Sequence, residues 1–220
     1  MNHVTAVIPV KKNSSRLPGK NLLPFGNESL LVRKIRQVKE SGIANRIIVS
    51  SDSHEMISIA KKNGVEGILR PDDLADESRP LSDFFDYICT LISEGHLAWT
   101  CVTSPFFNQN LMMEAKKKYF EGLSKDFDSL ITVYPFNHYL LNRDGPLNYS
   151  LGVAHQNTQE LNGIDLFTNG ILFAPIQDVK KWRYNYGPNA LRFYVNQLES
   201  IDIDTKLDYE CALAWMRCCE

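Results

Sequence analysis

The sequence lacks the marks of several large protein classes. No stretch approaches the roughly 18 consecutive apolar residues that a helical membrane span requires. Met1-Asn2-His3-Val4-Thr5 carries no cationic segment leading into an apolar one, so neither an anchor nor a secretory leader is expected and the chain is read as cytoplasmic, with no membrane partner. Cysteine is scarce and odd in number: the five residues Cys89, Cys101, Cys211, Cys218 and Cys219 include no Cys-x-x-Cys pair. Reduced thiols are expected rather than a disulfide frame or a zinc site. Charge bias is missing too, because 24 Lys and Arg stand against 26 Asp and Glu for a net charge of −2. Nothing demands a nucleic-acid partner, although a local basic groove stays compatible with that balance.

Common catalytic fingerprints are also absent. There is no Gly-x-Gly for a dinucleotide turn, and Gly19-Lys20-Asn21 lacks the hydroxyl and the upstream glycine of a Walker loop. Neither Gly-x-Ser-x-Gly nor His-Glu-x-x-His occurs. Hydride transfer, P-loop phosphotransfer, elbow-serine hydrolysis and zincin chemistry all lose support.

What is present is 220 residues at 44% hydrophobic, enough to bury the core of one domain. Val4 to Val10 is a β-branched apolar run of the kind buried on both faces of a parallel sheet. After a polar loop, Leu30, Leu31, Lys34, Ile35 and Val38 recur at helical spacing up to Gly42. Arg46 to Ser50 predicts a second strand, and Ser53 caps a helix that ends before Gly64. This alternation predicts a doubly wound α/β domain. It continues with helices over 81–93 and 110–120 and strands over 98–103 and 129–134. From Asn137 to Phe167 the pattern breaks into short apolar pieces around Asn142 to Pro146 and Asn162-Gly163, an inserted β-rich arm with hairpin turns. Strands over 170–174 and 198–204 and a helix over 207–218 complete the expected order.

Two segments carry chemistry. The loop leaving the first strand, Pro9 to Asn21, holds four cations and two hydroxyls in thirteen residues. At the carboxyl end of a strand, where α/β sheets bind ligands, Ser14 and Ser15 can donate to phosphate oxygens while Lys11, Arg16 and Lys20 neutralise a leaving pyrophosphate. A solvated surface loop is the equal alternative. In Ser200-Ile201-Asp202-Ile203-Asp204-Thr205, strict alternation predicts a strand with both carboxylates on one face, about 7 Å apart. Such a pair suits Mg²⁺, which takes one or two carboxylates and completes its shell with phosphate and water. An amphipathic edge strand with two solvated Asp is the competing reading.

Taken together, these segments resemble the acylneuraminate cytidylyltransferases and, more loosely, the enzymes that activate 3-deoxy-manno-octulosonate. The matching residues run from Ala6 to about Trp215: Ile8-Pro9-Val10-Lys11 with Ser14 and Pro18-Gly19-Lys20-Asn21; Ile47 to Ser53; Leu69-Arg70-Pro71-Asp72-Asp73-Leu74-Ala75; Thr103-Ser104-Pro105; Asn169-Gly170; and Ile201 to Thr205. The resemblance implies one domain over 1–220 of the nucleotide-diphospho-sugar transferase type, a mostly parallel sheet whose arm at 137–167 serves a homodimer. It implies attack by a hydroxyl of a small acidic, nonulosonate-like sugar on the α-phosphate of CTP, with Asp202 and Asp204 holding Mg²⁺ and Lys20 facing the leaving pyrophosphate. By the same likeness Arg70 and Asn21 belong to the nucleotide, and Ser104 and Asn169 to the acceptor.

The acceptor motifs depart from that family. A Gln-Pro-Thr-Ser-Pro-Leu-Arg pattern reads Cys101-Val102-Thr103-Ser104-Pro105-Phe106-Phe107, and Arg-Pro-Asn-Gly reads Phe167-Thr168-Asn169-Gly170. Each loses an arginine fork of the kind that grips a carboxylate. An octulosonate, a phosphonate or another acceptor, or a non-catalytic nucleotide-sugar binding module, are the rival readings. His138 and His155 are expected to be structural, and Trp182, Tyr184 and Tyr186 to pack.

Overall fold

Strand β1 (Val4–Pro9) forms where the apolar run predicts it, and Val4, Ala6, Val7 and Ile8 have no exposed surface. The computed structural model describes residues 3–76, 78–161 and 163–219. In chain order β1 is followed by a 3-10 turn at Lys20–Leu22, the short pair β2 (Pro24–Phe25) and β3 (Glu28–Ser29), and α1 (Leu30–Ser41). Next come β4 (Arg46–Ser51), α2 (His54–Lys62), β5 (Glu66–Leu69), α3 (Leu81–Leu91), β6 (His96–Trp99), α4 (Gln109–Leu123) and β7 (Ser129–Pro135). The chain then forms β8 (Leu141–Asn142), β9 (Gly145–Pro146), β10 (Asp165–Pro175), α5 (Ile176–Trp182), β11 (Ala190–Tyr194) and α6 (Lys206–Cys219).

Seven strands make one sheet in the order β11-β7-β10-β6-β1-β4-β5. β10 runs antiparallel to both neighbours, while the remaining pairs are parallel. Alternation along β1 divides the core. Ala6 and Ile8 face α1, α2, α4 and α6, whereas Val7 faces Phe84, Phe85 and Ile88 of α3 and Ile176 and Val179 of α5. Helices therefore cover both faces, as expected of a doubly wound domain. Caps fix where the helices begin: Ser29 Oγ accepts from Val32 N–H at 3.3 Å, and Ser53 Oγ from Met56 N–H at 3.4 Å. Such a cap is worth about 1 kcal/mol. Gly42 and Gly64, which follow α1 and α2, stand in the left-handed region.

One expectation is corrected. Residues 198–204 form no strand. Asn196 and Glu199 cap one another, each side chain accepting from the other's backbone N–H at 2.9–3.0 Å, and the chain turns there instead of joining the sheet. The edge strand beside β7 is β11, whose Phe193 is buried and whose Arg192 and Tyr194 are exposed. Among the described residues of 137–167, the segment expected to be a β-rich arm, β8 and β9 pair over two residues each, Asp165–Phe167 of β10 pair with β7, and two 3-10 turns form at Gly152–Ala154 and Thr158–Glu160. Its hairpin at 142–146 does form, with Asn142 Oδ1 accepting from the N–H groups of Asp144 and Gly145. Of the turn expected at Asn162-Gly163, Asn162 lies outside the described residues and Gly163 has φ +91°.

Candidate active site

A cavity of about 480 Å³ opens at the carboxyl ends of β1, β5 and β6, within the roughly 300–1,000 Å³ usual for small-molecule sites. Its first wall is the loop after β1. Lys11, Ser14, Arg16, Lys20 and Asn21 line it, while Ser15 is exposed and does not. Gly19, at φ +67°, turns the chain into the 3-10 turn that carries Lys20. Asn21 is 5% exposed, and its Nδ2 donates to the Lys11 carbonyl at 2.8 Å, so this residue fastens the two ends of the loop.

The second wall is the strip Asp202-Ile203-Asp204, which lies outside the sheet. Ile203 is fully buried and donates its N–H to the Thr103 carbonyl at 2.8 Å, leaving the flanking carboxylates toward the cavity. Lys20 Nζ lies 2.8 Å from Asp204 Oδ1, and an Arg16 guanidinium nitrogen 2.9 Å from Asp204 Oδ2. Both oxygens of Asp204 thus face cations. Asp202 differs, because its Oδ2 accepts from Asn169 Nδ2 at 2.7 Å while its buried Oδ1 has no partner.

Asn169 owes its place to a break in the β10–β7 ladder. Pairing slips between Thr168 and Leu172, so the chain bulges at Asn169-Gly170 and re-aims the amide into the cavity. Thr100 Oγ1 donates to the Gly170 carbonyl at 2.8 Å, and Thr132 Oγ1 to that of Thr168 at 3.1 Å, fixing the bulge from both sides. Gly170 is required: a Cβ there would stand 2.6 Å from the Phe107 ring.

Arg70 follows β5. It is 5% exposed, donates to the Val10 carbonyl at 3.0 Å and lies 4.6 Å over the Phe84 ring. Burial lowers its pKa, with Asp52 opposing; a guanidinium stays protonated regardless. Arg79 and Leu81 line the same wall, and no motif in the sequence marked them.

The acceptor residues expected from sequence separate. Asn169 and Cys101 line the cavity, but Ser104 is 1% exposed beneath its floor and does not reach it. Phe107 has no exposed surface and packs on Gly170 and Phe193, so it belongs to the core. Phe167 is partly exposed outside the cavity, 5.6 Å from Tyr186. Burial, and then the Asp202 carboxylate, push the Cys101 thiol up to about 12, so it is neutral. Tyr184 packs on Phe85 of α3 and on Tyr186.

The donor set fits Mg²⁺ in part. Among the described residues no group of three or more His, Cys, Asp or Glu could hold a metal, yet this ion needs only one or two carboxylates. Asp202 Oδ1 is an uncommitted buried acceptor beside the cavity. Both oxygens of Asp204 are committed to Lys20 and Arg16.

A cationic loop at the end of the first strand, two carboxylates opposite it and helices on both sheet faces describe an α/β protein with a candidate site for a phosphate-bearing ligand. The family model described as cytidylyltransferase matches residues 5–138, more than half of the chain, and the chain belongs to that family. It is 26% identical over 222 residues to an N-acylneuraminate cytidylyltransferase of Escherichia coli O18:K1:H7, with 96% of this chain aligned to 51% of that one. It is 24% identical over 225 residues to a pseudaminic acid cytidylyltransferase of Campylobacter jejuni serotype O:23/36, covering 94% of this chain and 93% of that one. The chain therefore spans about half the length of the first relative and nearly all of the second. The solved structure of CMP:2-keto-3-deoxy-manno-octonic acid synthetase complexed with CTP superposes with a TM-score of 0.70 at 15% identity, over 99% of this chain and 100% of that one. No helix among the described residues is long and apolar enough to cross a membrane.

Proposed function

We propose that the protein transfers CMP from CTP to a hydroxyl of a small acidic sugar and releases pyrophosphate, the residues 1–220 acting as one cytidylyltransferase domain. The observation that carries this reading is the pairing of Asp204 with Lys20 and Arg16 across the cavity, beside an Asp202 oxygen that has no partner. A pure binding site has little use for an uncommitted buried carboxylate oxygen. A triphosphate entering the loop offers Lys20 and Arg16 stronger anionic partners than Asp204. Lys11 and Ser14 line the same wall and contribute a cation and a hydroxyl donor. Lys20, whose side chain is only 11% exposed, stabilises charge that grows on the leaving pyrophosphate. Arg70 and Asn21 hold the loop to which the nucleotide binds, and Asn169 orients Asp202.

Asp202, joined by Asp204 once its cations turn to phosphate, would hold Mg²⁺, which supplies charge neutralisation at the phosphates. The names of the relatives support an acidic acceptor: N-acylneuraminate, pseudaminic acid and 3-deoxy-manno-octulosonate are the sugars they carry. An acceptor that is smaller or less dependent on a carboxylate grip is favoured by the cavity wall at Cys101–Thr103 and Asn169, which contains no cation. The arm at 137–167 is proposed to mediate a homodimer. Leu147, Leu151 and Val153 project from it 58%, 72% and 111% exposed, an apolar surface that a second copy would cover.

The test is pyrophosphate release from CTP across a panel of nonulosonates, octulosonates and phosphonates, with and without Mg²⁺. Release with one acceptor supports the proposal. CTP binding by calorimetry with no release for any acceptor favours a nucleotide-sugar binding module.

A further inference from the structure

Helix α1 turns a polar edge toward the loop that follows β6. Lys34 is fully buried, and its Nζ donates to the carbonyl oxygens of Ser104 at 2.9 Å and Phe107 at 3.2 Å. One turn later Gln37 Nε2 donates to the Pro105 carbonyl at 2.9 Å, and Arg33 Nε reaches the same oxygen at 3.2 Å. Three side chains from one helix thus make four hydrogen bonds to three carbonyls of one short loop.

Packing alone does not account for this arrangement. Lys34 occupies an inner-face position between Leu31 and Ile35, where an aliphatic side chain would fill the same space without a desolvated ammonium. Burial pushes the Lys34 pKa down to about 7; of the titratable and charged groups beside it, Cys101 opposes that shift and Arg33 adds to it. A group kept at that cost is expected to hold something in place.

The loop it holds is the floor of the cavity. Cys101, Val102 and Thr103 line it, and the Cys101 N–H approaches the Asn169 carbonyl at 3.5 Å. Thr103 supplies the carbonyl that receives the Ile203 N–H, the backbone bond tying the Asp202–Asp204 strip to this floor. That strip has no sheet ladder to set its height, so the loop sets it.

We propose that Lys34, assisted by Gln37, is a positioning residue: through the Ser104, Pro105 and Phe107 carbonyls it fixes Thr103, and through Thr103 it fixes Asp202 and Asp204 against the cationic loop. Its kinetic consequence rests on the cytidylyltransfer reading; its structural consequence does not.

Lys34→Met, similar in length but unable to donate, tests it. In amide hydrogen exchange, the Ile203 N–H should exchange at least about tenfold faster than in the unmodified protein while the β4 amides stay unchanged. CTP affinity by calorimetry should hold within about threefold, and kcat for pyrophosphate release should fall at least about tenfold. Unchanged exchange at Ile203, or exchange accelerated equally in β1 and β4, overturns the proposal, because Lys34 is then no more than part of the core. If Lys34→Met does not fold, Gln37→Leu takes its place. Gln37 Oε1 has no partner, so this variant removes only the donation to Pro105. Ile203 should then exchange at least about threefold faster, and no change again overturns the proposal. Absence of pyrophosphate release from the unmodified protein with every acceptor sinks the cytidylyltransfer reading alone, since exchange at Ile203 still decides the clamp.

Discussion

The cavity has two walls of different construction. The loop after β1 presents Lys11, Arg16 and Lys20 from a span of ten residues, and Arg70 joins them from the end of β5. The surface that carries the Asp202–Asp204 strip, Cys101 to Thr103 with Asn169, has no charge of its own, and its polar groups serve their neighbours: Thr100 holds Gly170, Asn169 holds Asp202, and Thr103 holds Ile203. The first wall is built to meet charge that arrives with a ligand. The second is built to hold its own geometry. Charge on a contiguous loop tolerates variation in exact placement, whereas a bulge fixed by single hydrogen bonds does not. The difference predicts that variants in the two walls fail differently.

The largest effect is expected where the walls meet. Asp202→Asn keeps the shape and the contact with Asn169 within reach but removes the negative charge, and kcat should fall at least about a hundredfold with the circular dichroism spectrum unchanged. Near-normal turnover with the same magnesium dependence would return Asp202 to a structural role. Lys20→Met should cost less, about fiftyfold in kcat, because Arg16 stands on the other oxygen of Asp204 and can partly substitute. A loss confined to the KM for CTP, with kcat intact, would make the cationic wall a binding surface only.

The uncharged wall leads to a third expectation. Arg192, which with Lys181 was a cation that could have replaced the missing arginine forks, instead pairs with Asp165 at 2.6 Å on the exposed sheet edge. N-acetylneuraminate should therefore be a poor acceptor, with kcat/KM at least about tenfold below that of a preferred acceptor that is smaller, more apolar or differently charged. Competition kinetics decide this. If that sugar proves best, another cation, with Arg79 on the cavity wall the first to examine, supplies the grip.

The same contrast explains what the sequence disclosed. β1, the cap Ser53 and the cationic loop were legible because each is local: a run, a spacing or a composition within a few residues. Alternation in 200–205 was read as a strand and was not one, since the reciprocal cap of Asn196 and Glu199 turns the chain before it can join the sheet. Ser104 and Phe107 were placed beside the acceptor by motif position, and both are buried, because α1 draws their loop down by its carbonyls and Gly170 admits the Phe107 ring. These contacts join residues about seventy positions apart. No window of sequence contains them.

The smallest expected effect lies in stability and isolates Lys34. Its folded-state pKa, near 7, lies below the 10.5 of the free side chain. Between those values the unfolded chain binds a proton that the folded chain does not, so this residue makes stability rise with pH. The penalty is fully present below about pH 7 and shrinks as pH climbs toward 10. The limiting slope for one group is about 1.4 kcal/mol per pH unit, which for a chain of this size amounts to a melting shift of up to about 3–5 °C per unit. Thermal unfolding of the unmodified protein and of Lys34→Met should be followed side by side from pH 6 to pH 9. Other groups titrate in both proteins and cancel in the difference. That difference should be flat below pH 7 and then move in favour of the unmodified protein as pH rises. A difference that stays constant through pH 9 would mean that Lys34 keeps its proton, and that the two carbonyls beneath the cavity floor hold a full ammonium charge throughout.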